Sequence, residues 1–347
     1  MNPILGVLFH AIGGLAAGSF YAPCKKVKGW AWETYWLVLG VFAWIVTPLV
    51  MASLVTPGFV GIIKAVPLKV VFWSYFFGVL WGIGGLTFGL TMRYLGISLG
   101  VSVALGFCAV FGTLVPPIFA GEFMDLVTSA SGLITLAGVA ICLLGIGICG
   151  KAGMMKERDL SAEEKAEGIA EFDFKKGVWV AIVSGVLSAC MAYAFQAGKP
   201  IQDLAVEKGI PAVRSNIPLL VVILLGGFTT NCIWCVWLSG KNKTFSNYGK
   251  ANEGGSLGLN YALCVIAGVL WYFQFFFYGM GTTQMGKYDF ASWSLHMAFI
   301  IITSNVIGLF TREWKGSSQK TIQVVVVGVI VLIMSTIVIG CGANMVQ

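Results

Sequence analysis

Charge is scarce in this sequence. Asp, Glu, Lys and Arg make up 11% of 347 residues, against 58% hydrophobic residues, and mean hydropathy is +0.87. Soluble domains carry about 25% charged residues, so a chain this poor in charge cannot cover a water-facing surface. Histidine is rarer still, with two residues. No His-Glu-x-x-His segment occurs, which removes the zinc-protease pattern. A single Asp lies in or near the apolar runs, which excludes an aspartyl dyad. A positive start and a small-residue cleavage site are both missing from Met1-Asn2-Pro3, so the first apolar run is expected to be a permanent span. The nine cysteines fall almost entirely inside apolar runs, where cysteine packs as a small hydrophobe. Cys232 and Cys235 form a Cys-x-x-Cys without a second pair, and packing is the expected role.

What the chain has is apolar length. Ten runs of about 20 residues lie near 4–22, 34–55, 70–91, 97–119, 131–150, 177–197, 214–238, 258–283, 288–310 and 321–342. That is the length a helix needs to cross a bilayer. Lipid leaves only helices or closed barrels, because unpaired backbone groups are too costly there, and barrel strands would alternate polar with apolar residues. The expectation is an all-α integral membrane protein with ten transmembrane helices. One long polar stretch, 151–176, separates a first five-span unit, 1–150, from a second, 177–347.

The two units resemble each other. Gly78-Val79-Leu80-Trp81 recurs as Gly268-Val269-Leu270-Trp271, and at the same offset Gly89 matches Gly279 and Gly96 matches Gly286. Glu122-Phe123 matches Glu313-Trp314 one residue out of step, and Phe20 to Lys25 loosely parallels Tyr193 to Lys199. An odd number of spans per unit makes the second unit inverted relative to the first. Inverted repeats are a transporter architecture with the substrate site between them. Of the 22 Lys and Arg residues, 16 fall in odd-numbered loops and 6 in even-numbered ones. The positive-inside rule then places 151–176 in the cytoplasm and both termini outside.

Polar side chains within spans are expensive and mark function by default. They are His10, Glu33, Arg93, Gln196, Lys199, Asn216, Gln274, Asp289, His296 and Asn305. Asp289, Trp293 and His296 stand at i, i+4 and i+7, within about 20° of one helical stripe. Trp271, Gln274 and Tyr278 form a second stripe, and Tyr193 and Gln196 lie one turn apart. Such stripes suit a sugar, whose C–H faces pack on aromatics while its hydroxyls take amide or carboxylate partners. Trp30, Trp32, Trp36 and Trp314 read instead as interface anchors. Lys25, Lys26 and Lys28 read as a solvated loop. Most of the 45 glycines read as close-packing positions.

Two enzyme-like motifs do not hold. Gly96-Ile97-Ser98-Leu99-Gly100 fits Gly-x-Ser-x-Gly but lacks its strand–turn–helix setting. Gly145 to Gly150 fits Gly-x-Gly-x-x-Gly but closes an apolar run instead of joining strand to helix. No enzymatic activity is expected.

Several segments resemble the bacterial L-rhamnose–proton symporter family. They are Phe20-Tyr21-Ala22-Pro23-Cys24-Lys25-Lys26-Val27-Lys28-Gly29-Trp30-Ala31-Trp32-Glu33-Thr34, then Trp81-Gly82-Ile83-Gly84 with Gly89 to Gly96, then Trp271 to Tyr278, then Tyr288 to Met297. The likeness runs along essentially the whole chain, although Cys24 stands where the family carries an aromatic. It implies a drug/metabolite transporter superfamily member with two inverted five-helix repeats in the bacterial inner membrane. The implied activity is uptake of L-rhamnose, with L-lyxose or L-mannose as related sugars, coupled to protons. The partners are then the sugar, the proton and membrane lipids, with no nucleic acid and no cofactor beyond the coupling proton. Transport of another sugar or metabolite, or sodium coupling, is the alternative. Superfamily relatives are drawn with cytoplasmic termini, opposite to the charge count.

Coupling needs a titratable group that senses the substrate, either a histidine or a carboxylate raised by partial burial. Asp289 or Glu33 is expected to carry the proton, with His296 or His10 as partner. Trp81, Tyr193, Gln196, Trp271, Gln274, Tyr278 and Trp293 are expected to bind the sugar.

Overall fold

The computed structural model describes residues 1–95, 97–159, 174–252, 254–310 and 314–345, and among these it is helical without a strand. The long helices are α1 Pro3–Ser19, α2 Trp32–Val55, α3 Leu68–Leu95, α4 Ile97–Phe119, α5 Ala130–Asp159, α6 Phe174–Ala197, α7 Asn216–Lys241, α8 Leu257–Thr282, α9 Ser292–Phe310 and α10 Gln319–Asn344. Nine of them are long and apolar enough to cross a membrane. The described apolar part of α4, Val103–Phe119, is shorter. Among the described residues nine helices thus meet this criterion where the apolar runs led us to expect ten.

The termini of these helices follow local rules. Asn2 opens α1, its Oδ1 accepting from the Leu5 N–H at 3.2 Å, with Pro3 in the first turn. Ser318 caps α10 by accepting from the Thr321 N–H at 3.3 Å. Its own N–H donates to the Asp159 carboxylate at 2.8 Å, as does the Thr321 hydroxyl at 2.7 Å. That acceptor explains why α5 continues past residue 151 into the polar stretch. In α2, Pro48 lacks the N–H that would reach the Trp44 carbonyl, and Phe42–Val46 widens into a π-turn. Trp44 is thereby turned inward, 2% exposed.

Helix pairing sets the architecture. Helix α3 packs on α6 and α7, and α8 packs on α1 and α2. Helix α4 packs on α6 and α5, α9 on α1 and α10, and α5 on α10. Contacts are close because small residues face backbones. A Cβ on Gly78 would lie 2.2 Å from the Ile223 carbonyl oxygen of α7. One on Gly268 would lie 2.7 Å from the Leu39 carbonyl oxygen of α2. Some neighbouring helices are antiparallel: Gly6 meets Gly281 and Gly13 meets Gln274, while Gly84 meets Ser188 and Gly177 meets Leu95; others are parallel, with Gly14 against Phe299 and Gly18 against Thr303, and Gly78 against Ile223 and Gly82 against Gly227. The bundle therefore has two ends, one near Met1 and Asp289, the other near Gly29 and Glu33.

Candidate functional site

The end near Met1 holds a polar cavity. Gly112, Pro116, Ala192, Phe195, Gln196, Lys199, Gln202, Tyr278, Thr282, Asp289 and Phe290 line it. Each wall has a local cause. Pro116 lies inside α4 and has no N–H, so the Gly112 carbonyl one turn earlier loses its helical donor and is left as an acceptor at the wall. Gly112 must be glycine, because a Cβ there would sit 2.4 Å from Cδ1 of Trp293. The Trp293 indole donates from Nε1 to the Cys108 carbonyl at 3.1 Å, and Thr113 and Ser294 share a hydroxyl bond of 2.7 Å that fastens α4 to α9. Gln202, on the short helix Lys199–Glu207, donates to the Phe195 carbonyl at 3.1 Å. Lys199 pairs with Asp203 at 3.0 Å on the exposed rim.

Asp289 is exposed at the cavity mouth. The expectation that it shares a single helical stripe with Trp293 and His296 needs correcting. It sits in a 3-10 turn, Gly286–Ala291, which Tyr288 breaks with φ −103° and ψ 23°, and α9 begins at Ser292. Gly286 has φ +60°, a left-handed conformation suited to glycine. The turn is held by a hydrogen bond between the Tyr288 and Ser131 hydroxyls. It aims the carboxylate into the cavity from outside the helix, while Trp293 and His296 remain on α9.

Tyr278 is the hub behind the mouth. Its ring lies 5.5 Å from His10, 5.2 Å from His296, 5.6 Å from Trp293 and 5.0 Å from Phe195. Both histidines are fully buried, and neither ring nitrogen of either has a hydrogen-bond partner among the described residues. Buried polar groups are normally paired, so two unpaired imidazoles against one tyrosine make this position a candidate site. The stripe of Trp271, Gln274 and Tyr278 on α8 is buried throughout. Trp271 meets Trp81 at 5.6 Å and Trp44 at 5.2 Å. Trp81 and Trp271 occupy matching places in the two sequence units and touch in the middle of the bundle.

The sequence candidates thus separate into groups. Gln196, Tyr278 and Asp289 line the cavity; His10, His296 and Trp293 stand against Tyr278. Trp81, Trp271 and Gln274 lie deeper. Tyr193 lines a neighbouring apolar chamber, its hydroxyl donating to the Phe111 carbonyl at 3.1 Å. Glu33 is at the opposite end. It is 4% exposed, and Oε1 accepts from Asn242 Nδ2 at 3.1 Å and the Thr244 hydroxyl at 2.8 Å. Asn216 donates to the Gly279 carbonyl at 2.6 Å and Asn305 to Ile301 at 2.8 Å, both within helix packing. The side chains of Arg93 and Ser98 lie outside the described residues. Gln202, Thr282 and Gly112 were not singled out from sequence. The Pro116-Pro117 pair within an apolar run was the available signal for Gly112.

The interface tryptophans are hydrogen-bonded at the Glu33 end. Trp30 donates to the Lys250 carbonyl at 3.3 Å and Trp36 to Asn231 Oδ1 at 3.0 Å. Lys156 lies 5.1 Å over the ring of Trp314.

A bundle of membrane-length apolar helices with a polar cavity at one end is an architecture suited to a membrane transporter. The model of the L-rhamnose-proton symport protein family matches residues 1–345, and the chain belongs to that family, one of transporters and not of enzymes. It is 38% identical over 340 residues to an L-rhamnose-proton symporter of Cronobacter sakazakii, with 97% of each chain covered. The L-rhamnose-proton symporters of Escherichia coli O1:K1 and of Escherichia coli K12 strain DH10B are equally similar, at 38% identity and the same coverage.

Proposed function

We propose that this chain carries L-rhamnose together with a proton into the cell across a bacterial inner membrane, by alternating access. The observation that carries the reading is the cavity itself. It gathers a carboxylate, two primary amides, an ammonium, a phenol and a helix carbonyl without a helical donor around one space. Those groups suit the hydroxyls of a monosaccharide, with Phe195, Tyr278 and Phe290 offered to its C–H faces.

Asp289 carries the coupling proton. It is the acid on the cavity, and protonation converts it from an acceptor into a donor to a sugar hydroxyl. Sugar and proton therefore stabilise each other's binding, which is the reciprocity a symporter needs. His296 or His10, behind Tyr278, is its partner. Glu33, held by Asn242 and Thr244, acts in closing the far end.

The moving parts are two inverted five-helix repeats, 1–150 and 177–347, joined by 151–176, with α4 as the tenth crossing. Helix pairing supports this: α3 on α6 and α7 mirrors α8 on α1 and α2, and Gly78 and Gly268 make equivalent backbone contacts. The Lys/Arg bias supports an external cavity mouth and a cytoplasmic Glu33 end.

The test is uptake of radiolabelled L-rhamnose in a transport-deficient strain, with and without a protonophore. Concentrative uptake abolished by the protonophore supports the reading. Uptake that ignores the protonophore and follows sodium would replace proton coupling with sodium coupling.

A further inference from the structure

Gln196 and Pro116 belong to two cavities at once. On one side is the polar cavity around Asp289. On the other is a chamber of about 490 Å³ whose remaining walls are Phe77, Val115, Phe119, Ala120, Tyr193 and Ala197. The hydroxyl of Tyr193 is committed to the Phe111 carbonyl, so this side chain offers mainly its ring. Phe119 is 88% exposed, and the chamber opens laterally between α3, α4 and α6. Across one amide, hydroxyl-binding groups give way to hydrocarbon-binding ones. A free sugar needs the first side alone.

We propose that the chamber is a subsite for the apolar substituent of an alkyl or aryl glycoside whose sugar ring sits in the polar cavity. The inference rests on the sugar-binding reading of that cavity. Gln196 stands at the junction, where the glycosidic oxygen joins ring to substituent. The substituent leaves water for the walls of Phe77, Val115 and Phe119, so each methylene tightens binding by up to about fourfold until the chamber is filled.

The experiment uses the full chain in proteoliposomes and reads inhibition of L-rhamnose counterflow by methyl, ethyl, propyl, butyl and phenyl α-L-rhamnosides. Butyl D-glucoside controls for bilayer effects. We expect competitive inhibition that strengthens about two- to fourfold per methylene. Val115→Trp, a change at a chamber residue that does not line the polar cavity, flattens the series and leaves the half-saturation for L-rhamnose unchanged. Ala120→Phe serves the same purpose if the first variant does not fold. A flat series in the unaltered protein overturns the proposal. So does a series equally steep in the filled variant, or butyl D-glucoside inhibiting as well as butyl rhamnoside, which would mean that the alkyl chain acts without the rhamnosyl ring. Absence of L-rhamnose counterflow in the unaltered protein would instead remove the sugar-binding reading, and the subsite with it.

Discussion

Glu33 and Asp289 stand at opposite ends of the same bundle, and their surroundings differ. Glu33 is buried and takes hydrogen bonds from Asn242 and Thr244. Around it the chain knits itself together. Asn260 donates to the Lys28 carbonyl at 2.8 Å, Asn247 to the Gly29 carbonyl at 3.1 Å, and the Tyr261 hydroxyl to the Tyr248 carbonyl at 2.8 Å. Gly29 has φ +67°, and a Cβ there would fall 1.8 Å from the Asn252 carbonyl oxygen. Asp289 is exposed at a cavity mouth among groups that suit a ligand. In the proposed cycle the same residue class serves both ends: the carboxylate bound by Asn242 and Thr244 holds a gate shut, and the one facing the cavity exchanges partners with substrate and proton.

The contrast can be broken at either end. The largest effect is expected from Gly112→Val, whose side chain must displace the Trp293 indole. Overpacking of this kind costs about 1–3 kcal/mol, and here it falls on the cavity wall, so L-rhamnose uptake should drop to background with the protein still in the membrane. Uptake assays paired with immunodetection check this. Next, Glu33→Ala removes two hydrogen bonds to a charged acceptor, worth about 1.5–3 kcal/mol each, and so loosens the far end. Cys235, fully buried near that end, should react with a permeant thiol reagent about a hundredfold faster for a loss of about 3 kcal/mol, at about 1.4 kcal/mol per tenfold. Glu33→Gln keeps an acceptor oxygen and should change it little. Peptide mass spectrometry reads both. The smallest effect is expected from Asn216→Ala, which loses one interhelical bond to Gly279. Such bonds are worth about 0.6 to 2 kcal/mol in membranes, a lowered thermal midpoint in detergent with uptake retained.

Much of the fold was legible because lipid imposes a simple rule, an apolar run of crossing length. The helices start and stop close to those runs. Helix α5 runs well past its apolar run, and there Asp159 accepts from Ser318 and Thr321. The stripe on α8 was legible because a regular helix keeps its period. The stripe on α9 was only partly so: period 3.6 reads through Gly286–Ala291, but the backbone there is a 3-10 turn. The separation of Glu33 from Asp289 was not legible from the two residues alone, since both sit near span ends. It follows from counting crossings, and the partners Asn242 and Thr244 lie 209 and 211 residues away in sequence. The cavity's Gly112 carbonyl was hidden for another reason. A missing hydrogen bond is a property of backbone geometry, signalled in sequence only by the proline one turn later.

In the proposed cycle the cavity acid couples and the buried acid latches. The most direct measurement is the pH of a lightly buffered suspension of de-energised cells on addition of L-rhamnose. The account predicts that the unaltered protein and Glu33→Gln alkalinise the medium, whereas Asp289→Asn admits the sugar without a pH change. Alkalinisation that persists in Asp289→Asn and disappears in Glu33→Gln would contradict it.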